Sequence, residues 1–202
     1  MANAAVTTIV IPKVESADDM RTIDSELAAM ESAAGRTSPV ALQALVESAK
    51  GLTNVESILA SSPRITSCVI GYADLSVSLG RQPSAPWQYA QDRVVLAARA
   101  NGIQPIDGPR LSVEDDADLR SDADTAAALG FDGKWVIHPR QVATVQQAFT
   151  PTAAQVAEAR EIITAMDEAA ANGRGAVQWR GRMIDEPVAQ QARRIIARSL
   201  VG

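Results

Sequence analysis

Two carboxylates in this chain stand where a cation could be held. Glu47 closes the apolar run "PVALQALVES" (39–48), and Asp74 closes "RITSCVIGYADLS" (64–76). In each, apolar residues lead straight into an acid followed by small or polar residues. If the runs are successive parallel strands, both acids leave the same edge of one sheet. Neighbouring strands lie about 4.8 Å apart, so the two side chains could share one ion. Mg²⁺ suits such a site, because it takes one or two protein carboxylates and keeps its other positions for water and substrate oxygens. Taken singly, the acids have plainer readings: Glu47 capping a helix, and Asp74 capping the "DLSVS" turn. The "GYAD" step (71–74) adds backbone N–H groups around Gly71 and Ala73 that could meet a substrate carboxylate. Its plainer reading is a tight turn that needs Gly71.

The elements that must position these acids follow from alternation of apolar runs and helical-period segments. Residues 7–13, 39–47, 64–71, 103–110 and 134–139 read as buried strands. Between them, helices are predicted over 16–34, 53–62, 85–101 and 114–129. Ser16 is placed to cap the first, with Asp18 and Asp19 in its opening turn. This alternation predicts an α/β fold with a parallel sheet and helices packed outside. The pattern changes after Phe149. Residues 150–173 form a long amphipathic helix between Pro151 and Gly173, residues 175–185 a strand–turn–strand, and residues 187–200 a last basic helix. The domain reading is a barrel-type body over 1–149 and a C-terminal extension over 150–202.

Only five β-α units are visible, whereas a closed (β/α)₈ barrel needs eight strands. The expectation is therefore either an open parallel sheet or a barrel whose first three units lie outside this polypeptide. An open sheet leaves strand edges that a partner must cover.

Composition narrows the function classes. The 202 residues are 47% hydrophobic and 21% charged, with a formal net charge of −5 and no basic cluster. That balance argues against a nucleic-acid partner. No apolar run approaches a membrane span and no signal pattern opens the chain, so a cytoplasmic address is expected. Aromatics are scarce at 3%, so the core is built from Val, Ile, Leu and Ala. The single Cys68 lies mid-strand and reads as a buried, inert thiol.

Five strings taken together resemble the citrate lyase β-subunit-like family of the HpcH/HpaI aldolase superfamily. They are "IPKVESADD" (11–19), "ALVESAKGLTNVESI" (44–58), "VIGYADLSVSLG" (69–80), "LGFDGKWVIHPRQV" (129–142) and "GRMIDEPVAQQA" (181–192). The resemblance implies a Mg²⁺-dependent TIM barrel with a C-terminal extension, assembled as a homo-oligomeric trimer. It implies cleavage or formation of a carbon–carbon bond next to a thioester or 2-oxo acid, as in malyl-CoA, citramalyl-CoA or citryl thioesters. An acyl-CoA or 2-oxo acid is then the small-molecule partner. Residue by residue, Glu47 and Asp74 match the family's metal ligands. Asp185, in "MIDEP", matches an aspartate that reaches a neighbouring subunit's active site as acid/base; locally it also reads as the N-cap of the last helix. His138, the only histidine, lies in a segment that shapes the mouth where the CoA chain runs, and is read as structural or CoA-lining. Lys13 points to the same rim.

The resemblance fails in one place. The family's N-terminal part normally supplies three strands, a "DLED"-like acidic segment and an arginine in an "RVN"-like strand that stabilises the developing enolate. Arg64, Arg81 and Arg110 lie in no such context. The expectation is a pyruvate-type aldolase or non-catalytic subunit as the alternatives to a thioester lyase, with the arginine supplied from elsewhere.

Overall fold

The structure is a computed structural model that describes residues 6–82 and 84–200. Contacts group the chain into two units, Met1–Val145 and Gln146–Gly202. The first holds five parallel strands: β1 (Thr8–Ile11), β2 (Ala41–Val46), β3 (Ile65–Ile70), β4 (Gln104–Asp107) and β5 (Gly133–Lys134). Their order in the sheet is their order in the chain. That sequential order, with a helix in each crossover, is how a TIM-barrel-type sheet is wound.

Burial alternates along β2: Leu42, Ala44 and Val46 are fully buried, while Ala41, Gln43 and Leu45 are only half-buried. The buried set packs toward the helices. Helix α1 (Ala17–Ala33) contributes Met20 and Leu27 to that core. Its start is fixed by a reciprocal capping box: the Ser16 hydroxyl accepts from the Asp19 N–H, and the Asp19 carboxylate accepts from the Ser16 N–H.

The predicted helix over 53–62 is instead two short helices, α2 (Ala49–Thr53) and α3 (Val55–Leu59). They break at Asn54, whose side-chain amide donates to Glu15 O at the entrance to α1. The "DLSVS" stretch (74–78), whose plainer reading is a turn, lies in a further helix, α4 (Tyr72–Leu79), closed by Gly80 at a left-handed φ of 62°. Helix α5 (Gln88–Ala100) begins three residues later than predicted. The Pro86 carbonyl accepts from the Arg81 guanidinium just ahead of it. Helix α6 (Ala117–Leu129) is capped by Asp116 and ends at Gly130.

The fifth strand is much shorter than the predicted 134–139. The Trp135 N–H still reaches Asp107 O, but the Ile137 N–H turns to the Gln141 side chain. A single 3-10 turn (Pro139–Gln141) follows, and leads into α7 (Val142–Phe149).

The second unit has its own small core. Helix α8 (Ala153–Ala171) is capped by a Thr152–Gln155 box and followed by an antiparallel hairpin, β6 (Ala176–Trp179) and β7 (Arg182–Asp185). Arg180 and Gly181 make its two-residue turn with φ of 44° and 76°, the left-handed pair a tight hairpin requires. Helix α9 (Glu186–Ser199) packs back on α8 and β7, and Ala159, Ile162, Met166, Ile184, Ala189 and Ala192 form the buried cluster. No described helix is long and apolar enough to cross a membrane.

Candidate functional site

Glu47 follows β2 directly and continues the face of Gln43 and Leu45, away from the helix-covered residues. Helix capping is not its task. Ser48 does that, its hydroxyl accepting from the Gly51 N–H at 3.0 Å. The Glu47 side chain is 7% exposed and its Oε1 accepts from the Lys13 N–H at 2.9 Å. Burial pushes its carboxyl above the ordinary value; the Lys13 N–H opposes that shift, and the negative charge of Asp74 adds to it.

Asp74 sits on the neighbouring connection, in the first turn of α4. Its Oδ1 takes the Lys13 ammonium at 3.1 Å. Lys13 therefore touches both acids, one through its backbone and one through its side chain. Its φ is 51°, a left-handed conformation that a lysine adopts only when the surroundings impose it. The hydrogen bond and charge of Asp74, with the charge of Glu47, hold the ammonium above the usual lysine value, against a smaller loss from burial.

Gly71 has a steric role at this point. A Cβ there would lie 2.6 Å from Glu47 Cβ and 2.7 Å from Glu47 Oε2, so only glycine lets the carboxylate keep its place. Its N–H is not free for a ligand, because it donates to Val46 O at 3.0 Å. The N–H groups of the first turn of α4, among them that of Ala73, remain the local anion donors.

A second polar cluster lies at the ends of β3, β4 and β5, and the sequence reading missed it. Lys134 Nζ pairs with Asp107 Oδ2 at 2.6 Å and donates to Gly108 O at 2.8 Å. The Tyr72 hydroxyl donates to Asp107 Oδ1, and Gln91 Nε2 donates to that hydroxyl at 2.9 Å. Burial, then the charge of Asp107, raises the Tyr72 phenol far above its ordinary value. Gly108 makes room for this contact: a Cβ would fall 2.1 Å from Ile70 O and 2.7 Å from the Tyr72 ring. A cleft of about 640 Å³ opens above the cluster, bordered by Tyr72, Trp87, Asp107, Arg110 and Lys134. Neither Glu47 nor Asp74 lines it. The signal available in sequence was a charged residue inside each of two apolar strands, since Lys and Asp are rarely buried unless paired.

Residues 1–139 match the HpcH/HpaI aldolase/citrate lyase family. This chain belongs to that family. Within it, the chain is 41% identical to the L-malyl-CoA/beta-methylmalyl-CoA lyase of Cereibacter sphaeroides over 93% of its own length. It is 34% identical to the mitochondrial citramalyl-CoA lyase of Mus musculus over 96% of its length. It spans 65% and 61% of those two relatives. Among solved structures, CitE from Mycobacterium tuberculosis, in complex with magnesium, acetoacetate and coenzyme A, superposes with a TM-score of 0.74 and 30% identity. That match covers 96% of this chain and 69% of CitE. A citrate lyase from Burkholderia xenovorans matches in fold, with a TM-score of 0.82 at 22% identity, over 96% of this chain and 64% of that one.

The other residues singled out from the family resemblance fall as follows. Asp185 occupies the N-cap position of α9, but its side chain makes no capping hydrogen bond and is exposed. His138 precedes the 3-10 turn, its Nδ1 accepting from the Arg140 N–H at 3.2 Å. The three arginines are engaged elsewhere. Arg64 is clamped by Asp24 and Glu31, Arg110 by Asp116, Asp118 and Asp122, and Arg81 stacks 4.9 Å from the Trp87 ring centroid. Cys68 is fully buried in β3, and burial pushes its thiol up to about 12. It is an inert core residue.

Proposed function

We propose that this chain is the metal-holding part of a cytoplasmic carbon–carbon lyase acting on a β-hydroxyacyl thioester of the malyl-CoA or citramalyl-CoA type. The observation that carries this reading is the convergence of Glu47 and Asp74, from consecutive β/α connections, on one residue, Lys13, whose backbone N–H meets Glu47 and whose ammonium meets Asp74. The donor set fits Mg²⁺. It is two carboxylates, and among the described residues no group of three or more His, Cys, Asp or Glu could hold a metal. Mg²⁺ is content with such a pair, filling its octahedron with water and substrate oxygens. When bound, it supplies polarisation of the substrate oxygens and neutralises charge that develops there.

The chain's own residues then take separate parts. Glu47 and Asp74 hold the ion, Gly71 keeps the space that lets Glu47 do so, and the N–H groups around Ala73 orient a substrate carboxylate. His138 and Lys13 line the mouth along which the CoA arm lies. Asp185, contributed by a neighbouring copy in a trimer, moves the proton at the acyl α-carbon. In cleavage the β-hydroxyl loses its proton, the carbon–carbon bond breaks toward the thioester, and that α-carbon takes up a proton. The absence of a capping bond at Asp185 supports this, since its carboxylate is uncommitted to the helix it precedes.

The test is release of glyoxylate from malyl-CoA, or pyruvate from citramalyl-CoA, with Mg²⁺ present. Glu47→Gln and Asp74→Asn are each expected to lower the rate on the order of 10²-fold or more. Cleavage indifferent to both substitutions would overturn the assignment of the site. Metal binding without cleavage of any thioester would make the chain a non-catalytic subunit.

A further inference from the structure

The geometry points to Lys13 as a built-in counter-cation: its backbone N–H on Glu47 and its ammonium on Asp74 hold the two acids in place until a divalent ion displaces the ammonium. The inference rests on the reading of those acids as metal ligands, and goes beyond it by giving the lysine a positioning role.

Three observations converge. The Lys13 N–H holds Glu47 Oε1 at 2.9 Å, and its Nζ holds Asp74 Oδ1 at 3.1 Å. One residue therefore sets the position of both carboxylates. The conformation that achieves this, with φ of 51°, is intrinsically unfavourable for a side-chain-bearing residue, and such strain collects where geometry is functional. Finally, the ammonium lies 69% exposed and its partner 49% exposed. It can leave into water without stranding a buried charge. An exposed pair of this kind is worth little, so a divalent cation competes against it easily.

Two carboxylates brought together repel each other. The N–H on Glu47 and the ammonium on Asp74 keep the two side chains where they are. The cost is competition, because the metal must displace the lysine from Asp74 Oδ1 before it can use that oxygen. The backbone half of the contact stays in place, since the N–H of Lys13 is fixed by the turn and not by the side chain. The same residue thus preforms the pair and lowers its apparent affinity for metal.

The experiment is Mn²⁺ binding to the full chain, followed by calorimetry and by the loss of the free-ion electron paramagnetic signal. Lys13→Met is expected to bind Mn²⁺ on the order of threefold to tenfold more tightly than the wild type. Lys13→Arg keeps the charge and stays within about twofold. Lys13→Gly keeps the N–H and its left-handed turn, so it tightens binding as Lys13→Met does. Lys50→Met, which removes the exposed lysine paired with Glu15 at 3.5 Å, is the control for loss of a nearby surface charge and leaves the affinity unchanged. Binding by the wild type with equal or weaker binding by Lys13→Met overturns the role of Lys13 alone. No binding by either protein overturns the metal site and this inference with it. Equal tightening by Lys50→Met also overturns it, because the effect would then be general charge.

Discussion

Lys134 and Asp107 meet at 2.6 Å with 3% and 2% of their side chains exposed, while Lys13 and Asp74 meet at 3.1 Å with 69% and 49% exposed. Both pairs sit where strands of one sheet run out into their loops. The buried pair has satisfied partners on every side, with the Tyr72 hydroxyl on Asp107 and the Gly108 carbonyl on Lys134. It can neither open nor exchange without leaving a charge in a low-dielectric interior. The open pair has one contact to lose and solvent waiting for both ions. Similar ion pairs thus serve different ends: the sealed one fixes the loops that shape the cleft, and the open one leaves its acid available.

The largest expected effect comes from breaking the sealed pair. Lys134→Met leaves an uncompensated carboxylate, and Asp107→Asn leaves an uncompensated ammonium. Each is expected to cost about 3–5 kcal/mol in unfolding free energy measured by denaturant titration. The double substitution Lys134→Met with Asp107→Leu should recover most of that loss, because an apolar pair of similar volume asks for no desolvation. If the double variant is as unstable as the sum of the singles, the pair contributes through packing and the contrast with Lys13–Asp74 loses its electrostatic basis.

Between the extremes lies the Arg64 clamp. Its guanidinium grips Glu31 through two nitrogens, at 2.7 Å and 3.0 Å, and also bonds Asp24, with the side chains of Arg64 and Glu31 only 12% and 11% exposed. The Arg64 hydrogen bond, with that of the Val40 N–H, holds the Glu31 carboxyl below its ordinary value of 4.5. A carboxyl depressed in the folded state adds stability above its unfolded value, and loses it as pH falls through the folded one. Wild-type protein should therefore lose more stability than Glu31→Gln between about pH 7 and about pH 3. At neutral pH, Glu31→Gln should destabilise less than either single break of the sealed pair. Parallel pH curves for the two proteins would remove Glu31 from the ranking.

Much of this arrangement was legible in the sequence, and the exceptions share a cause. Glu47 and Asp74 could be read because a strand that runs into an acid is a local pattern, and Ser16 because a capping box is four residues long. Helix α4 escaped because "DLSVS" is too short to display helical periodicity before Gly80 ends it. The fifth strand was drawn too long because "WVIHP" is apolar, yet the Ile137 N–H finds a better partner in the Gln141 side chain than in a ladder. Lys134–Asp107 joins residues from separate strands, and Lys13 joins Glu47 through a left-handed backbone that no residue type announces. Pairings made by tertiary register leave no trace in spacing. For the same reason the partners of Arg64, Arg81 and Arg110 were not legible: each arginine is bound by groups that spacing alone does not reveal.

The smallest effect, and the sharpest test of the contrast, belongs to the open pair. Removing the Lys13 side chain strands nothing, since Asp74 is half in water and Glu47 keeps its hydrogen bond from the backbone N–H. Lys13→Met and Asp74→Asn should thus leave the thermal unfolding midpoint within the scatter of repeat measurements, at low salt as at high. Screening reinforces the expectation, because an exposed pair is already weakened within a Debye length of about 8 Å at physiological ionic strength. Asp74→Asn has a second reason to be mild: it relieves the repulsion that Asp74 exerts on the buried Glu47 carboxylate. A midpoint that falls for Lys13→Met as far as it does for Lys134→Met would mean the open pair is structural after all. A flat midpoint together with a changed Mn²⁺ affinity would separate the two kinds of pair by function as well as by exposure.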